Sequence, residues 1–358
     1  MTDEPKRVSA KTLTDFVAAL FEKHGVPEGD AFLVADNLVA ADLRGIDSHG
    51  VARTGRYLAR LKKGLIHPTL QVSIVKESPS TLTLDGGASL GQPVGKYAME
   101  RTIAKAATAG VCITSVRNSN HYGIARYYSL MALPHDMIGI SMTNTRPLAV
   151  PTYGREAILG TNPISFVAPA MSERPFVLDM ATTVIPIGKV EAFKRKQQKL
   201  LPGWAVDQHG APTIEPEAVL AGGGVLPLGG DPEHSGYKGY GLSFMVEILC
   251  AALSGSAFFT QIEREAEGKS QPSNIGHFFA AMKIEAFRPV EEFKRQMDGM
   301  IHTLRTAGVA EGAERIYIPG DKSFAKEQEY RAAGIPVIEP TLKSLRELGQ
   351  NLGVTCSF

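Results

Sequence analysis

The first quarter of the chain has apolar residues at helical spacing. One stripe follows Ser9, a residue type that caps helix N-termini, and another contains Tyr57 and Leu61. Between them a helical pattern runs from about Asp30 into Gly45, and glycine reaches the left-handed backbone conformation that ends many helices. These patterns predict three helices that form a helical N-terminal unit.

Strand-like runs of apolar residues follow this unit. Residues 71–75 and 80–84 predict two neighbouring strands, and residues 111–116 and 137–142 predict buried strands. Helical patterns and further strands follow as far as the C-terminus, where two helices end the chain. The chain is therefore predicted to have an α/β fold.

Three later segments add detail to this pattern. Residues 201–230 are rich in proline and glycine and lack periodicity, which predicts a long loop. Residues 240–259 form the most apolar run, but Glu247 and glycines within it predict a buried helix rather than a membrane span. Residues 315–318 predict a short strand.

A glycine-rich turn at residues 81–93 has the strand, turn and helix order of a dinucleotide-binding motif. Its glycines, Gly86, Gly87 and Gly91, do not have the GxGxxG spacing, and that motif occurs nowhere else in the chain. We interpret the segment as a turn into a helix with Pro93 near its first position.

The turn after the second helix has side chains that suit catalysis. Asp47, Ser48 and His49 lie between two helical patterns, and Arg53 follows His49 by four residues. If the next helix starts at the turn, the imidazole and the guanidinium share one face, which places a proton donor beside a carboxylate-binding group. The alternative is a corner between helices in which Asp47 or Ser48 only caps the second helix.

A second histidine lies in the polar loop after the strand at 111–116. Groups that suit a polar ligand surround His121 in sequence, namely Asn118, Asn120, Tyr122 and Arg126. The alternative is a loop histidine that hydrogen-bonds only to backbone. The loop at 143–148, which follows the next strand, could lie beside this one.

Two further segments have residues that suit a nucleotide. Asp179 ends a predicted strand and could accept hydrogen bonds from a ribose, or could cap the helix that starts near Val184. Lys238 and Gly239 lie at the start of an apolar helix, where free backbone N–H groups attract anions, unless the glycines there serve only close packing.

Composition and charge narrow the function classes. The 358 residues suggest two or three packed units, and a formal net charge of +1 gives no reason to expect nucleic acid or a membrane surface as partner. The N-terminus lacks the apolar core of a signal peptide. Cys112, Cys250 and Cys356 are odd in number, far apart and outside metal-binding spacings, which predicts a reduced, cytoplasmic protein with no metal site.

Six sequence blocks together resemble the type-2 malate/L-lactate dehydrogenase family. That family also contains ureidoglycolate dehydrogenase, sulfolactate dehydrogenase, diketogulonate reductase and the reductases of piperideine and pyrroline carboxylates. The blocks occur in family order over nearly the full length, and they are Asp42–Arg53, Arg117–Ala125, Leu159–Pro163, Leu178–Thr182, Gly236–Leu242 and Asn274–Phe279.

The resemblance implies an oxidoreductase that uses NAD or NADP and forms a homodimer. Its fold differs from the Rossmann fold, in agreement with the missing GxGxxG, and combines a large mixed or antiparallel sheet with a helical unit. In relatives the C-terminal helices pack on the N-terminal ones. The expected units are residues 1–75 with 307–358, residues 76–134, and a cofactor-binding sheet domain at 135–306.

The resemblance also implies roles for particular residues. His49 is the expected acid/base, with Ser48 beside it, and Arg53 binds the substrate carboxylate as a bidentate fork. His121 is the rival for the proton role or a second substrate ligand, and Asn120 is a further substrate-binding residue. Cofactor-binding positions carried over by motif are Thr145, Asp179, Met180, Ala181, Lys238, Gly239, Pro319, Gly320 and Asp321.

The expected substrate is a small 2-hydroxy or 2-keto acid, either malate and oxaloacetate or L-lactate and pyruvate. Malate needs a second cation, for which the candidates are Arg117, Arg126, Arg146 and His121. Same-fold alternatives are another keto acid, ureidoglycolate or a cyclic imine carboxylate. A metal-dependent hydrolase that uses both histidines and Asp47 is a remote alternative, since neither histidine belongs to an HxH or HExxH pair.

Overall fold

The computed structural model describes residues 5–263, 265–266 and 269–358. The α-helices of these residues are α1 (Ala10–Glu22), α2 (Glu28–Leu43), α3 (Thr54–Lys62), α4 (Gly91–Ala109), α5 (Arg126–Ser129), α6 (Ile187–Arg195), α7 (Pro216–Leu220), α8 (Gly236–Glu247), α9 (Val290–Thr306), α10 (Asp321–Ala333) and α11 (Glu339–Leu352). A π-helical turn at Ile248–Ala252 extends α8.

The strands of the same residues are short outside one central sheet. They are β1 (Lys6–Val8), β2 (Ser73–Glu77), β3 (Thr81–Asp85), β4 (Val111–Ser119), β5 (Met137–Thr143), β6 (Ile164–Ala168), β7 (Phe176–Met180), β8 (Ala205–Val206), β9 (Pro212–Thr213), β10 (Gly224–Val225), β11 (Glu265–Ala266), β12 (Lys269–Ser270), β13 (Ile275–Lys283) and β14 (Ile335–Val337).

The central sheet has seven strands in the order β2-β3-β4-β13-β5-β6-β7. The β3–β4 pair is parallel, and every other neighbouring pair in this sheet is antiparallel. The predicted α/β class and the large mixed sheet are therefore confirmed.

The strand β13 brings two loops to one edge of the sheet. It is antiparallel to both β4 and β5, so these two strands run in the same direction and end at the same edge. His277 of β13 lies between them, opposite Val116 on one side and Thr143 on the other. The loops after β4 and β5, which contain His121 and Thr145, therefore leave the sheet together with one strand between them.

The first three helices share a core with the C-terminal segment. Leu20 and Leu38 are buried in the same cluster as Leu342 and Leu345 of α11, and β1 pairs with β14. Each fully buried leucine contributes about 1.5–3 kcal/mol relative to exposure, so this contact ties both ends of the chain together.

The structure differs from the sequence predictions in three segments. Residues 201–230 contain α7 and a small sheet in the order β10-β8-β9 rather than only a loop. The short C-terminal strand is β14 and not residues 315–318. The apolar run at 240–259 is helical at its start but exposes Phe244 and Leu253, at 45% and 55%. No helix of the described residues is long and apolar enough to cross a membrane.

Candidate active site

The buried side chain of Asp42, near the end of α2, holds the turn between α2 and α3 in place. This carboxylate is 8% exposed, and its Oδ2 accepts a hydrogen bond from the Val51 N–H at 2.8 Å. A Cβ added at Gly50 would overlap Asp42 Oδ1, so only glycine fits between this carboxylate and the turn. Gly45, at φ +72°, ends the preceding helical segment in the predicted left-handed conformation.

The turn is not the start of a continuous helix. Two 3₁₀ segments, Asp47–His49 and Val51–Arg53, are separated by the extended residue Gly50, so the predicted helical relation between His49 and Arg53 is wrong. Arg53 still reaches the turn, because its Nε donates to the Ser48 carbonyl oxygen at 2.6 Å. The capping alternative is wrong too, since α3 begins at Thr54 without a side-chain cap.

The structure brings the two predicted histidines together although 72 positions separate them in sequence. The rings of His49 and His121 stack with their centres 5.4 Å apart and their planes at 28°. Ser48 Oγ lies 3.0 Å from His49 Nδ1. The four residues Ser48, His49, Arg53 and His121 therefore form one polar cluster at the sheet edge.

The partners of His121 fix its protonation pattern. Its Nδ1 accepts a hydrogen bond from the Gly123 N–H at 3.3 Å and lies 2.5 Å from the Tyr57 hydroxyl. A backbone N–H can only donate, so the Nδ1 of the neutral ring carries no proton. The Nε2 of neutral His121 is therefore a hydrogen-bond donor.

Burial keeps these side chains uncharged. It lowers the pKa of His49 to about 4, with the positive charge of Arg53 as the second cause. The pKa of His121 also lies well below its usual range, because of burial and then the neighbouring His49. Burial raises the pKa of Tyr57 to about 12, so this hydroxyl keeps its proton. At neutral pH the cluster has two neutral imidazoles beside one guanidinium.

His277 supports this cluster and was not predicted as a site residue. It is fully buried, with Nδ1 2.8 Å from Thr143 Oγ1 and Nε2 2.8 Å from Ser119 Oγ, and its ring stacks on Tyr122 at 4.5 Å. It therefore joins the ends of β4 and β5. The sequence signal for His277 was a lone histidine inside an apolar strand. Tyr57 was missed too, and its signal was a position four residues after Arg53.

Four other arginines near the site in sequence or space differ in their pairing. Arg117 pairs with Asp85 at 3.0 Å, Arg126 with Asp179 at 2.7 Å, and Arg56 with Glu263 at 2.6 Å. Arg146 is exposed, and no ion pair joins it to any carboxylate of the described residues. Burial is the main cause that lowers the pKa of Arg53, and the charges of Arg56 and Arg146 lower it further, so Arg53 and Arg146 are electrostatic neighbours.

Thr145 lies in a loop that is held from two sides. Its Oγ1 accepts a hydrogen bond from the Thr161 N–H at 2.9 Å, and its own N–H donates to Asn162 Oδ1 at 3.1 Å. A Cβ on Gly160 would lie 2.5 Å from the Thr145 carbonyl oxygen. This predicted cofactor position therefore has a fixed backbone at the same edge as His121.

The predicted positions in β7 and before α10 meet around one ion pair. Arg126 donates to Asp179 and, through Nη1, to Ser323 Oγ at 2.6 Å, with both members of the pair under 10% exposed. The Pro319 carbonyl oxygen accepts from the Val177 N–H at 3.0 Å. Asp179, Met180 and Ala181 thus lie near the Pro319–Gly320–Asp321 turn, but Asp179 is already engaged by Arg126.

Other predicted cofactor residues have structural partners of their own. Asp321 accepts from the Ile318 N–H and from Arg305, both at 3.0 Å. A Cβ on Gly239 would overlap the Leu228 backbone, which is the close-packing alternative for this glycine. Lys238 is exposed, and no side-chain hydrogen bond within the described residues joins it to the histidine cluster.

Asn120 has one buried acceptor without a partner. Its Nδ2 donates to the carbonyl oxygens of Ala88 and Ser89, each at 2.9 Å, whereas its Oδ1 has no hydrogen-bond partner among the described residues. An unpaired buried acceptor costs about 1–3 kcal/mol, and a donor that reached Oδ1 would recover this cost. A nicotinamide carboxamide and a hydroxy acid both have such a donor.

Comparison with known proteins agrees with this chemistry. The chain matches the model of the malate/L-lactate dehydrogenase family over residues 8–346. It is 47% identical to the malate dehydrogenase of Pyrococcus abyssi over 349 residues, 97% of this chain and 95% of that protein. The L-sulfolactate dehydrogenase of Methanocaldococcus jannaschii is 42% identical over 335 residues, 94% of each protein.

A solved structure extends the similarity to the fold. The crystal structure of malate dehydrogenase from Entamoeba histolytica matches with a TM-score of 0.94 and 38% identity, over 99% of this chain and 100% of that one. The chain therefore belongs to the malate/L-lactate dehydrogenase family of nicotinamide-dependent enzymes.

Proposed function

We propose that this protein catalyses the reversible oxidation of a small 2-hydroxy acid to a 2-keto acid, with malate and oxaloacetate as the first pair to test. The observation that carries the proposal is the pair of neutral imidazoles beside Arg53. Such a site can take a proton from a hydroxyl group while a guanidinium binds the adjacent carboxylate.

His49 is the proposed base. The His121 Nε2 already has a proton and its Nδ1 is occupied by donors, so His121 is suited to donate a hydrogen bond to the substrate oxygen. When the Nδ1–H of His49 donates a hydrogen bond to Ser48 Oγ, the unprotonated Nε2 is free to accept the proton of the substrate hydroxyl. A bound carboxylate would offset the charge of Arg53, which is one cause of the low pKa of His49, and so favour proton uptake.

Arg53 and Arg146 support a substrate with two anionic groups. Arg53 would bind the carboxylate next to the reacting carbon, and Arg146, which lacks a carboxylate partner among the described residues, would bind the second. Arg117 and Arg126, the other arginines considered, are neutralised by Asp85 and Asp179. L-lactate has only one carboxylate and is the weaker candidate.

The cofactor is NAD or NADP, and the residues around the cluster fit a nicotinamide. When bound, the cofactor would accept the hydride that leaves C2 of the hydroxy acid. The Asn120 acceptor suits a carboxamide donor, and Thr145, Met180 and Ala181 are the positions we assign to cofactor binding near the sheet edge. Asp179, Lys238, Gly239 and the 319–321 turn remain assigned to the cofactor by family motif.

We further propose that the protein is a cytoplasmic homodimer. The three cysteines are free, which suits a reducing compartment. An exposed apolar stripe on α8 suits a contact with a second copy, since a stripe of this kind is costly to leave in water.

An initial-rate assay tests the proposed reaction. NADH and NADPH are each offered with oxaloacetate, pyruvate, sulfopyruvate, ureido-substituted keto acids and cyclic imine carboxylates, with and without a chelator. We expect turnover of a dianionic keto acid that the chelator does not change. Absence of turnover across the panel, together with no binding of NADH or NADPH, would favour the metal-dependent hydrolase instead, and turnover of pyruvate alone would exclude the role of Arg146.

A matched pair of variants tests which histidine transfers the proton. His49→Gln removes the base, and we expect it to lower kcat about 10²–10⁴-fold while cofactor binding changes little. His121→Gln keeps an N–H donor near the Nε2 position but removes the Nδ1 acceptor of Tyr57 and Gly123, and we expect a loss of only about tenfold, the value of one hydrogen bond. The reverse order of the two losses would assign the proton transfer to His121.

A further inference from the structure

A buried carboxylate, Glu247, lies at the centre of an amide network next to the proposed cofactor loop. It is 3% exposed at the end of α8. Its Oε2 accepts from Asn144 Nδ2 at 3.0 Å and its Oε1 from Asn162 Nδ2 at 3.1 Å. Both asparagines are fully buried, and each Nδ2 also donates to a backbone carbonyl oxygen, that of Ala257 for Asn144 and that of Ser243 for Asn162.

Backbone groups fix the orientation of both asparagine amides. Asn144 Oδ1 accepts from the Gly276 N–H and Asn162 Oδ1 accepts from the Thr145 N–H, at 2.9 and 3.1 Å. The two Nδ2 groups must therefore point towards Glu247 as donors. One proton of each Nδ2 goes to its backbone carbonyl, and the other points to residue 247. A carboxylate accepts both of these protons, whereas a glutamine amide has one acceptor oxygen and accepts only one of them.

The network extends to the proposed cofactor loop of Thr145 and towards the loop of His121. Through Asn162 it holds the Thr145 backbone. Through Asn144 and Gly276 it reaches Thr143, whose Oγ1 hydrogen-bonds to the Gly276 carbonyl oxygen and to His277. His277 in turn bonds Ser119, two residues before His121.

Glu247 has no cation to balance its charge. No lysine, arginine or histidine of the part of the chain that the structure describes forms an ion pair with it. Burial raises its pKa, and the two asparagine donors act against this effect. Such an acidic group is costly in a core, where an apolar residue would pack without penalty, so its hydrogen bonds to the two asparagines must offset that cost.

We propose that Glu247 is a positioning residue whose two oxygens hold the loop of Thr145 in the geometry that binds the nicotinamide cofactor. This inference rests on the proposed function, because it takes Thr145 as a cofactor contact. It goes beyond that function in assigning a role to a buried side chain whose hydrogen bonds go to Asn144 and Asn162 and not to the histidine cluster.

Glu247→Gln is the direct test, with Ser243→Ala as its control. The glutamine keeps the shape of the side chain but turns an NH₂ group towards one of the two asparagine donors. The control removes a neutral hydrogen bond to the same Asn162 Nδ2, at 3.2 Å, and leaves both carboxylate bonds. Dissociation constants for NADH and NADPH are measured by fluorescence titration, and KM for the keto acid and kcat at saturating cofactor are measured alongside.

We expect the Glu247→Gln variant to bind the preferred cofactor about tenfold more weakly, the loss of one hydrogen bond to a charged group. The KM of the keto acid and kcat should change less than twofold, and Ser243→Ala should bind cofactor as the unmodified protein does. A residue with only a structural role would lower thermal stability without this split between cofactor affinity and the other constants.

A second variant covers the case in which Glu247→Gln does not fold. Glu247→Asp keeps the charge but is one methylene shorter, so it can reach one asparagine and not both, and we expect weaker cofactor binding here too. Normal affinity in the folded variants would overturn the inference and leave the proposed function intact. If the unmodified protein binds neither NADH nor NADPH, the proposed function itself fails.

Discussion

Burial sets the charge state of the individual residues around the turn. His49, His121 and Asp42 all have a pKa shifted towards the neutral form, because each lies where water cannot solvate a charge. Only Arg53 keeps its charge among them. At neutral pH the positive charge of the cluster therefore comes from Arg53 and not from a protonated histidine. This charge attracts a carboxylate while the imidazoles stay free to accept a proton.

Asp42 makes stability depend on pH in a defined direction. Burial raises its pKa from 3.8 to about 7, so between these values the unfolded chain releases a proton that the folded protein keeps. The stabilisation is complete below about pH 4 and is lost as the pH rises through 7. Asp42→Asn keeps an acceptor for Val51 but does not ionise.

As the pH rises from 5 to 7, the unmodified protein should lose stability that Asp42→Asn keeps. We expect the free energy of unfolding of Asp42→Asn, relative to that of the unmodified protein, to rise by up to about 1.4 kcal/mol for each pH unit. Urea denaturation at pH 5, 6 and 7 measures the difference. A difference that stays constant over this range would show that Asp42 is ionised throughout.

Single residues also mark the limit of what sequence could predict about the site. Ser48, His49, Arg53 and His121 were predicted, because polar groups on turns and strand ends stand out against apolar surroundings. Tyr57 was assigned only to the apolar stripe of α3, yet its hydroxyl lies against His121. Only the three-dimensional contact, across 64 positions, gives that hydroxyl a partner.

At the scale of elements, the turn between α2 and α3 depends on close packing. Gly50 has φ −86° and ψ −158°, an extended conformation open to any residue, so the need for glycine comes from space alone. An alanine there would push against Asp42 Oδ1 and move the Val51 N–H away from its acceptor. The segment displaced is the one that holds His49 against His121.

We expect Gly50→Ala to lower kcat/KM about 10²-fold, because small misplacements of catalytic groups have effects of this size, and to destabilise the fold by about 1–3 kcal/mol. Gly55→Ala in α3 is the matched control, since its Cβ would lie 3.7 Å from Leu348, an ordinary contact. Alanine favours helix there, so the control should be neutral or slightly stabilising. Full activity of Gly50→Ala would mean that the turn tolerates the shift.

Long periodic elements were predicted well, and short ones were not. The helices α2 and α4 and the strands β4 and β5 have enough residues for a period to show. By contrast, β8, β9 and β10 have two residues each, which is too few to define any alternation. They exist because pairing with each other satisfies their backbone groups, and pairing partners are not visible in a local pattern.

At the scale of the whole molecule, the central sheet extends across two of the three units that the sequence predicts. The N-terminal helices share one core with residues of the segment 335–358. The division between 76–134 and 135–306, however, runs through a single sheet, because β13 pairs with β4 of the first unit and β5 of the second. Strand pairs so distant in sequence are not visible in linear patterns. The limits of the expected units therefore stay a prediction, with one sheet shared between two of them.

The exposed apolar stripe of α8 and its extension is the surface that we assign to the proposed homodimer. Tyr237, Phe244 and Ile248 are 53%, 45% and 48% exposed at spacings of seven and four residues, which places them on one helix face. Gly241 lies on the same face, and a Cβ there would meet nothing within 4 Å, so another helix can approach closely.

Two charges on this face should separate the subunits. We expect Phe244→Lys with Ile248→Lys to weaken dimerisation at least a hundredfold, because each lysine would have to lose its hydration inside the interface. Light scattering on a sizing column at micromolar concentration measures the mass. Phe287→Lys, at a side chain 70% exposed in the turn before α9, is the control and should leave a dimer intact. A double variant that remains dimeric would move the interface away from α8.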